Sequence, residues 1–444
     1  MTGKRAGSGE PIAEVVARLG VDELREVVAR AAEWHPDVDR AVRLAASRGD
    51  DDISGLRAAV DSALRTRRFL DWRESSRWAA DAGPVVDELR ERATERPTRE
   101  LVALVERAVG HVVKVIMHAD DSNGSIGDLA RDLLDIHALA CDADVADPLA
   151  LARWMARFGI DDQDFFVVDP VRYRLALGPA GVEAYRQEVL ERSALPKPVF
   201  AVRHALERLA VLDGDVEAVV RLLGGDLTAP HQFIAVAEAM AELGRDDDVL
   251  AWARRGFEST SGRQVTKLYD LAVGVHERRG ELDEVVALRR DELGRMPSTS
   301  SYAKLRAAAE RNGVWGDERA GALGALGNGA LVDVLLEEGE AAQAWEVAER
   351  PGWDPGPDRW YRLAAAREPT EPGDALLVYL TLATAELETA NQNAYQRAAR
   401  LLADAKRAAG AAGRTAAFDD HMAAVREQHR RRPTLMKILD KARL

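Results

Sequence analysis

The chain has 444 residues, 31% of them charged and only 5% aromatic, with a formal net charge of −14. That length suits two or three domains with sizeable cores, the composition suits helix faces better than β-sandwich cores, and the acidic balance disfavours broad, nonspecific nucleic-acid binding. The single cysteine, Cys141, excludes an intramolecular disulfide and any multi-cysteine zinc module, so it is expected as a small buried apolar residue.

Residues 1–9 read as a flexible polar tail. The next apolar run, Ile12 to Leu19, is broken by Glu14 and Arg18, which rules it out as a signal sequence, and no later apolar run approaches membrane-spanning length. The cytoplasm is the expected location, with no membrane partner.

An N-terminal helical domain is expected over residues 10–195. Stripes at helical spacing recur at Ile12–Val15–Val16–Leu19, at Leu24–Val27–Val28–Ala31 with Asp22 placed to cap it, at Val38–Val42–Ala45, and from Ile53 to Leu64. The stretch RTRRFLDWRESSRWAADAG then reads as the basic, solvated end of a helix that turns Phe69, Leu70, Trp72 and Trp78 inward.

His111 to Cys141 is where ionisable residues crowd at spacings that suit chemistry. Val112, Val115 and Ile116 form one apolar face, Leu129, Leu133 and Ile136 another, and Asp120-Asp121-Ser122-Asn123-Gly124-Ser125 between them holds residues that stop one helix and cap the next. An αα-hairpin follows. Folded about Gly124, it sets His111 level with His137, while His137 and Cys141, four apart, share a face; a His/His/Cys cluster is geometrically open. The spacings match neither paired CxxC nor HExxH, and an EF-hand frame places Ala119 and Ala130 where calcium needs carboxylates. His111, His118, Asp120, Asp121, Asn123, Asp128 and His137 are therefore the candidate ligand or structural polar site, with a capped turn the favoured role.

FLDWRESSRWA at 69–79, ADDSNGSIGDLARDLLDIHALAC at 119–141 and DPLALARWMARF at 147–158 together resemble the helical region that follows the SWIM zinc finger in a group of bacterial proteins. The resemblance implies an all-helical, tetratricopeptide-like body, sometimes associated with nucleic acid through the finger. The finger needs a CxC…CxH set, and Cys141 alone cannot supply it, so its zinc does not transfer.

Beyond Cys141, Pro148 suits the first turn of a helix carrying Leu151, Trp154 and Met155, and the short run around Phe165 reads as a loop that buries its phenylalanines. Ala194-Leu195-Pro196-Lys197-Pro198 cannot continue a helix and marks an extended joint. Helical repeats are expected over residues 196–425, punctuated by Gly214, Gly244, Gly280, Gly313, Gly339 and Gly373 at intervals of 30, 36, 33, 26 and 34 residues, close to the tetratricopeptide period. GALGALGNGA at 321–330 lacks the lysine and strand of a phosphate loop and reads as a loosened helix or hinge. Residues 426–444, with seven Arg/Lys against two Asp/Glu, read as a docked basic terminal helix in which Arg430, Arg431, Arg432 and Lys437 are candidate anion or nucleic-acid contacts.

The expected protein is all-α, made of helical hairpins, an N-terminal helical domain followed by tetratricopeptide-like repeats. No catalytic residue, cofactor or metal is assigned. The favoured function is a non-catalytic scaffold recognising a protein or peptide on the repeat surface; a ligand- or metal-binding protein using the His111 to Cys141 hairpin and a nucleic-acid-associated factor using the basic C-terminus are the alternatives.

Overall fold

Apolar residues spaced three and four apart, interrupted by glycine, proline and acidic turns, resolve into helix after helix. A computed structural model describes residues 16–35, 38, 42, 53–142, 145–194 and 200–444. Among the described residues there are 22 α-helices and no strand; the one extended pairing is a parallel bridge between Leu70 and Ala119. The chain divides into two compact units, Met1–Gly225 and Asp226–Leu444. The joint expected after Ala194 falls within residues 195–199, outside the described residues, as do the polar tail and most of the stripe from Val38 to Ala45.

The N-terminal unit begins with α1 (Val21–Trp34), where Gly20 stands at the N-cap and Glu23 accepts its N–H at 2.8 Å, so the cap is not Asp22, which pairs with Arg25 instead. It continues with α2 (Ser54–Ala63), α3 (Trp72–Glu95), α4 (Arg99–Ile116), α5 (Ser125–Cys141) and α6 (Pro148–Ala156), the last running into a π-helical turn over Arg157–Asp162. Then come α7 (Arg174–Ser193), broken at Gly178 with φ +53°, α8 (Phe200–Asp213) and α9 (Val216–Gly224). One apolar core runs from Leu56 to Leu209, so α8 shares it with the helices before it. α5 packs against both α3 and α4 and is buried on most sides, which is why its apolar positions are not confined to one stripe.

Caps explain where these helices start. Asp71 accepts from the N–H groups of Arg73 and Glu74 at 2.8 and 2.9 Å to open α3; Asp147 does the same for Leu149 and Ala150, both at 2.9 Å, with Pro148 in the first turn of α6. The aromatic residues before α3 correct one expectation. Leu70 is buried, but Phe69 is 66% and Trp72 50% exposed. The bridge to Ala119 turns residue 70 inward and residue 69 outward, and Trp72, in the first turn after the cap, lies under the Arg73 guanidinium at 4.8 Å. Likewise, Phe166 is buried but Phe165 is exposed; Gln163 fastens that loop by donating to the Phe158 and Phe166 carbonyls and accepting from Phe165 and Phe166.

The C-terminal unit is a series of helical hairpins: α10 (Pro230–Glu242) with α11 (Asp246–Ser259), α12 (Val265–Arg279) with α13 (Leu282–Arg295), α14 (Thr299–Arg311) with α15 (Trp315–Gly324), α16 (Asn328–Glu337) with α17 (Ala341–Ala348), α18 (Pro357–Arg367) with α19 (Pro372–Glu388), and α20 (Gln392–Ala411) with α21 (Thr415–Gln428), closed by α22 (Pro433–Lys441). From α8 onward hairpins begin at Phe200, Pro230, Val265, Thr299, Asn328, Pro357 and Gln392, at intervals of 30, 35, 34, 29, 29 and 35 residues. The turn inside the hairpin repeats as well. At Gly214, Gly244, Gly280, Gly313 and Gly339, φ lies between +67° and +80°, and the next N–H bonds back to the carbonyl five residues earlier, the Schellman closure. Gly373 does not belong to this set: Pro372 starts α19, so Gly373 sits inside its first turn, and the sixth closure is at Gly413 (φ +68°). The glycine-rich 321–330 segment spans the end of α15, a three-residue turn and the start of α16.

Candidate functional site

The acidic turn is a lock built from its own side chains. Asp121 accepts from Ile126 N–H at 2.8 Å on one carboxylate oxygen and from Gly127 N–H at 2.9 Å on the other, satisfying two orphan donors at the start of α5. Asn123 donates to the Trp72 carbonyl at 2.9 Å and to Ser76 Oγ at 2.5 Å, and accepts from Ser125 N–H at 3.1 Å. Asp120 accepts from Ser122 N–H, its own N–H donates to the Leu70 carbonyl at 2.8 Å, and its carbonyl accepts from the buried Ser75 hydroxyl at 2.9 Å. Gly124, at φ +78°, supplies the left-handed step that lets these side chains converge. Asp128 stands outside this network, exposed and paired with Arg131 at 2.6 Å. The turn therefore ties α5 to the start of α3.

The histidines do not join. His111 Nε2 lies 2.8 Å from Asp61 Oδ1 on α2, and Arg107 grips the same carboxylate with two bonds of 2.7 and 2.8 Å. Arg107 holds the Asp61 carboxyl well below its ordinary range, while burial pushes the His111 pKa down against the pull of Asp61. His118 is exposed at the other end of the cleft that His111 lines.

His137 is fully buried on α5, its ring 4.1 Å from Trp154. His137 Nδ1 lies 2.9 Å from the Tyr173 hydroxyl, which is also 3.3 Å from the Leu134 carbonyl. Nε2 faces Cys141 Sγ at 3.8 Å and Glu106 at 3.6 Å. The His/His/Cys cluster open at the sequence level is not formed, because His111 is drawn to α2 and His137 into the core. Among the described residues no group of three or more His, Cys, Asp or Glu is disposed to hold a metal ion. Burial raises the Cys141 thiol pKa to about 12.

At the C-terminus the expected single basic helix is two helices, with Arg430, Arg431 and Arg432 in the break between α21 and α22. Arg432 donates to the Leu387 carbonyl at 2.6 Å and lies over the Tyr395 ring, and Arg430 pairs with Glu427 at 2.6 Å. Of the four candidate anion contacts only Arg430 has an ion-pair partner among the described residues. The helix is docked through Leu435 and Leu439, both buried.

A groove that the sequence did not single out opens between α18, the C-terminal part of α19, and α20. It measures about 690 Å³ and is lined by Pro357, Tyr361, Leu382 and Leu401 with Arg397 and Arg400. Arg397 is engaged by Glu386 at 2.8 and 2.9 Å and Tyr361 donates to Asp404 at 3.2 Å, whereas Arg400 and, at the mouth, Asp358 have no partner among the described residues. Of the two neighbouring aromatics on α18, Trp360 packs edge-on to Trp345, while Tyr361 stays 41% exposed.

No protein-family model matches this chain, and no curated protein matches it. Among the described residues no helix is long and apolar enough to cross a membrane.

Proposed function

We propose that the chain is a non-catalytic interaction scaffold that recognises a protein or peptide segment on the first-helix face of its C-terminal hairpins. The observation that carries this is the α18–α20 groove, where apolar side chains and an unpaired guanidinium lie side by side on rigid helices. The fitting segment presents an apolar side chain to Tyr361, Leu382 and Leu401 and a carboxylate to Arg400. Stacked hairpins bind peptides and proteins more often than they catalyse, which is support from analogy of fold. The resemblance of 69–79, 119–141 and 147–158 to the helical region that follows the SWIM finger is in keeping with a helical body of this kind.

The test is affinity purification of the full chain from its own cells, native protein beside Tyr361→Glu and Arg400→Glu, both at exposed positions. A partner lost in both variants while their thermal unfolding matches the native protein supports the reading. A partner retained equally by all three, or none recovered, refutes it.

A further inference from the structure

Although the chain carries 75 acidic residues against 61 basic ones, one concavity of the N-terminal unit is lined by cations without carboxylates to answer them. A cleft of about 680 Å³ lies between the end of α2, the segment that follows it, and the end of α4. Arg65, Arg67 and Lys114 line it together with His111 and His118, and the hydroxyls of Ser62 and Thr66 open onto it. The one acid in the lining is Asp61, and it is consumed by Arg107 and His111. Among the described residues Arg65, Arg67, Lys114 and His118 make no ion pair. The neighbouring Arg68, by contrast, pairs with Glu74 at 3.2 Å.

Cations do collect at helix C-termini, where the macrodipole is negative, and α2 and α4 both end here. That accounts for one or two basic side chains pointing outward. It does not account for three being gathered around a single hollow with two hydroxyl donors. Thr66 Oγ1 already accepts from Arg68 N–H at 3.4 Å, which leaves its own proton free to donate. Phe69, two residues on from Arg67, is exposed.

We infer that this cleft is a binding site for a phosphate dianion, free or as a phosphomonoester, held by Arg65, Arg67 and Lys114 with Thr66 and Ser62 as hydroxyl donors. Guanidinium and ammonium groups form short charge-assisted bonds with phosphate oxygens, and the walls of a cleft strengthen them relative to an open surface. The site is independent of the peptide groove in the other unit.

The experiment is calorimetric titration of the full chain with inorganic phosphate and, separately, with a nucleoside 5′-monophosphate, at chloride-matched ionic strength. Saturable binding of either is expected, weakened about tenfold or more in Arg67→Ala/Lys114→Ala and unchanged in Arg73→Ala, a basic residue outside the cleft. Tighter binding of the nucleotide, lost in Phe69→Ala, assigns an organic phosphate; tighter binding of phosphate itself assigns the free ion. Absence of saturable heat from the native protein up to about 10 mM of either probe overturns the inference, and so does binding that persists undiminished in the double variant. The native titration decides the matter even if the double variant fails to fold, and Arg65→Gln/Lys114→Gln offers a gentler second version.

Discussion

Gly256, at the start of the last turn of α11, is the most exacting test of how the hairpins are packed. A Cβ placed there would sit 2.5 Å from Leu268 Cδ1 on α12 and 2.8 Å from Phe233 Cβ on α10. Both lie roughly 1 Å inside the best carbon–carbon separation. Leu268 is fully buried and cannot swing into solvent, and Phe233 Cβ is tied to its backbone, so α10 and α12 have to give. Overpacking of this kind costs about 1–3 kcal/mol, and helix propensity returns about 1 kcal/mol on replacing glycine by alanine. Gly256→Ala is expected to destabilise the C-terminal unit by up to about 2 kcal/mol on these figures. Gly274, on the next helix, is the control: its nearest neighbour is Arg278 Nη1 at 3.7 Å, so Gly274→Ala keeps the propensity gain and is expected to stabilise by up to about 1 kcal/mol. Urea unfolding followed by circular dichroism reads both as midpoint shifts of opposite sign. If Gly256→Ala raises the midpoint as Gly274→Ala does, the close approach of three helices at this glycine is wrong.

Further outcomes follow from the N-terminal unit. Asp121→Ala removes the acceptor for two backbone N–H groups and should cost about 1–2 kcal/mol in urea unfolding, whereas Asp128→Ala, at an exposed pair, should fall within about 0.5 kcal/mol of native. Cys141, buried and with its thiol pKa at about 12, should resist a thiol reagent at pH 8 in native protein and react in full once urea unfolds the unit; fast native labelling would contradict its placement. Asp61 is held ionised by Arg107, so its contribution is present above the ordinary carboxylate range and is lost as pH falls below about 4. His111 acts in the same direction: burial lowers its pKa, the unfolded chain takes the proton first, and stability declines as pH drops below about 6.5. Asp61→Asn should therefore flatten the part of an unfolding-versus-pH curve below about pH 4, and no change there would place that acid sensitivity elsewhere.

What could be read from the sequence was what is local. Helix faces at three- and four-residue spacing, and glycines that accept a left-handed turn at Gly244 or Gly280, depend on neighbours within one or two turns of chain, so hairpins and their period were legible. The partners of the candidate side chains were not. Asp61 is 50 positions from His111, Tyr173 is 36 from His137, and the Leu387 carbonyl is 45 from Arg432. Nothing in the spacing of either residue announces such a pairing, and each pairing changed the meaning of the residue it reached. Phe69 and Trp72 show the same limit from the other side. Their bulk suggested burial, yet a bridge between Leu70 and Ala119 turns Leu70 in and leaves Phe69 facing out. Gly373 misled because the preceding proline, not the glycine, governs that turn.

Charge in the C-terminal unit is organised by the repeat, and this bears on where a partner engages. Lys267 reaches Glu238 at 2.6 Å, Lys304 reaches Asp270 at 2.8 Å, Arg311 reaches Glu277 at 2.6 Å, Arg306 reaches Glu338 at 3.3 Å, Arg362 reaches Asp333 at 2.7 Å, and Arg407 reaches Glu368 at 2.7 Å. Every step from α10 through α12, α14, α16 and α18 to α20 is bridged in this way. The more open of these pairs, such as Lys267 with Glu238 and Arg311 with Glu277, contribute about 0–1 kcal/mol each, too little to explain why the hairpins stack, a task that falls to their buried apolar faces. Their effect is on register: a hairpin displaced along its neighbour would leave a cation and a carboxylate unmatched at each step. The same pairing removes these charges from the first-helix face as contacts for a partner. Arg400 on α20 lies beside this ladder but outside it, in a groove that it shares with Leu382 and Leu401, so under the proposed function the end of the series, rather than its middle, is where an acidic and apolar segment would find both of its complements.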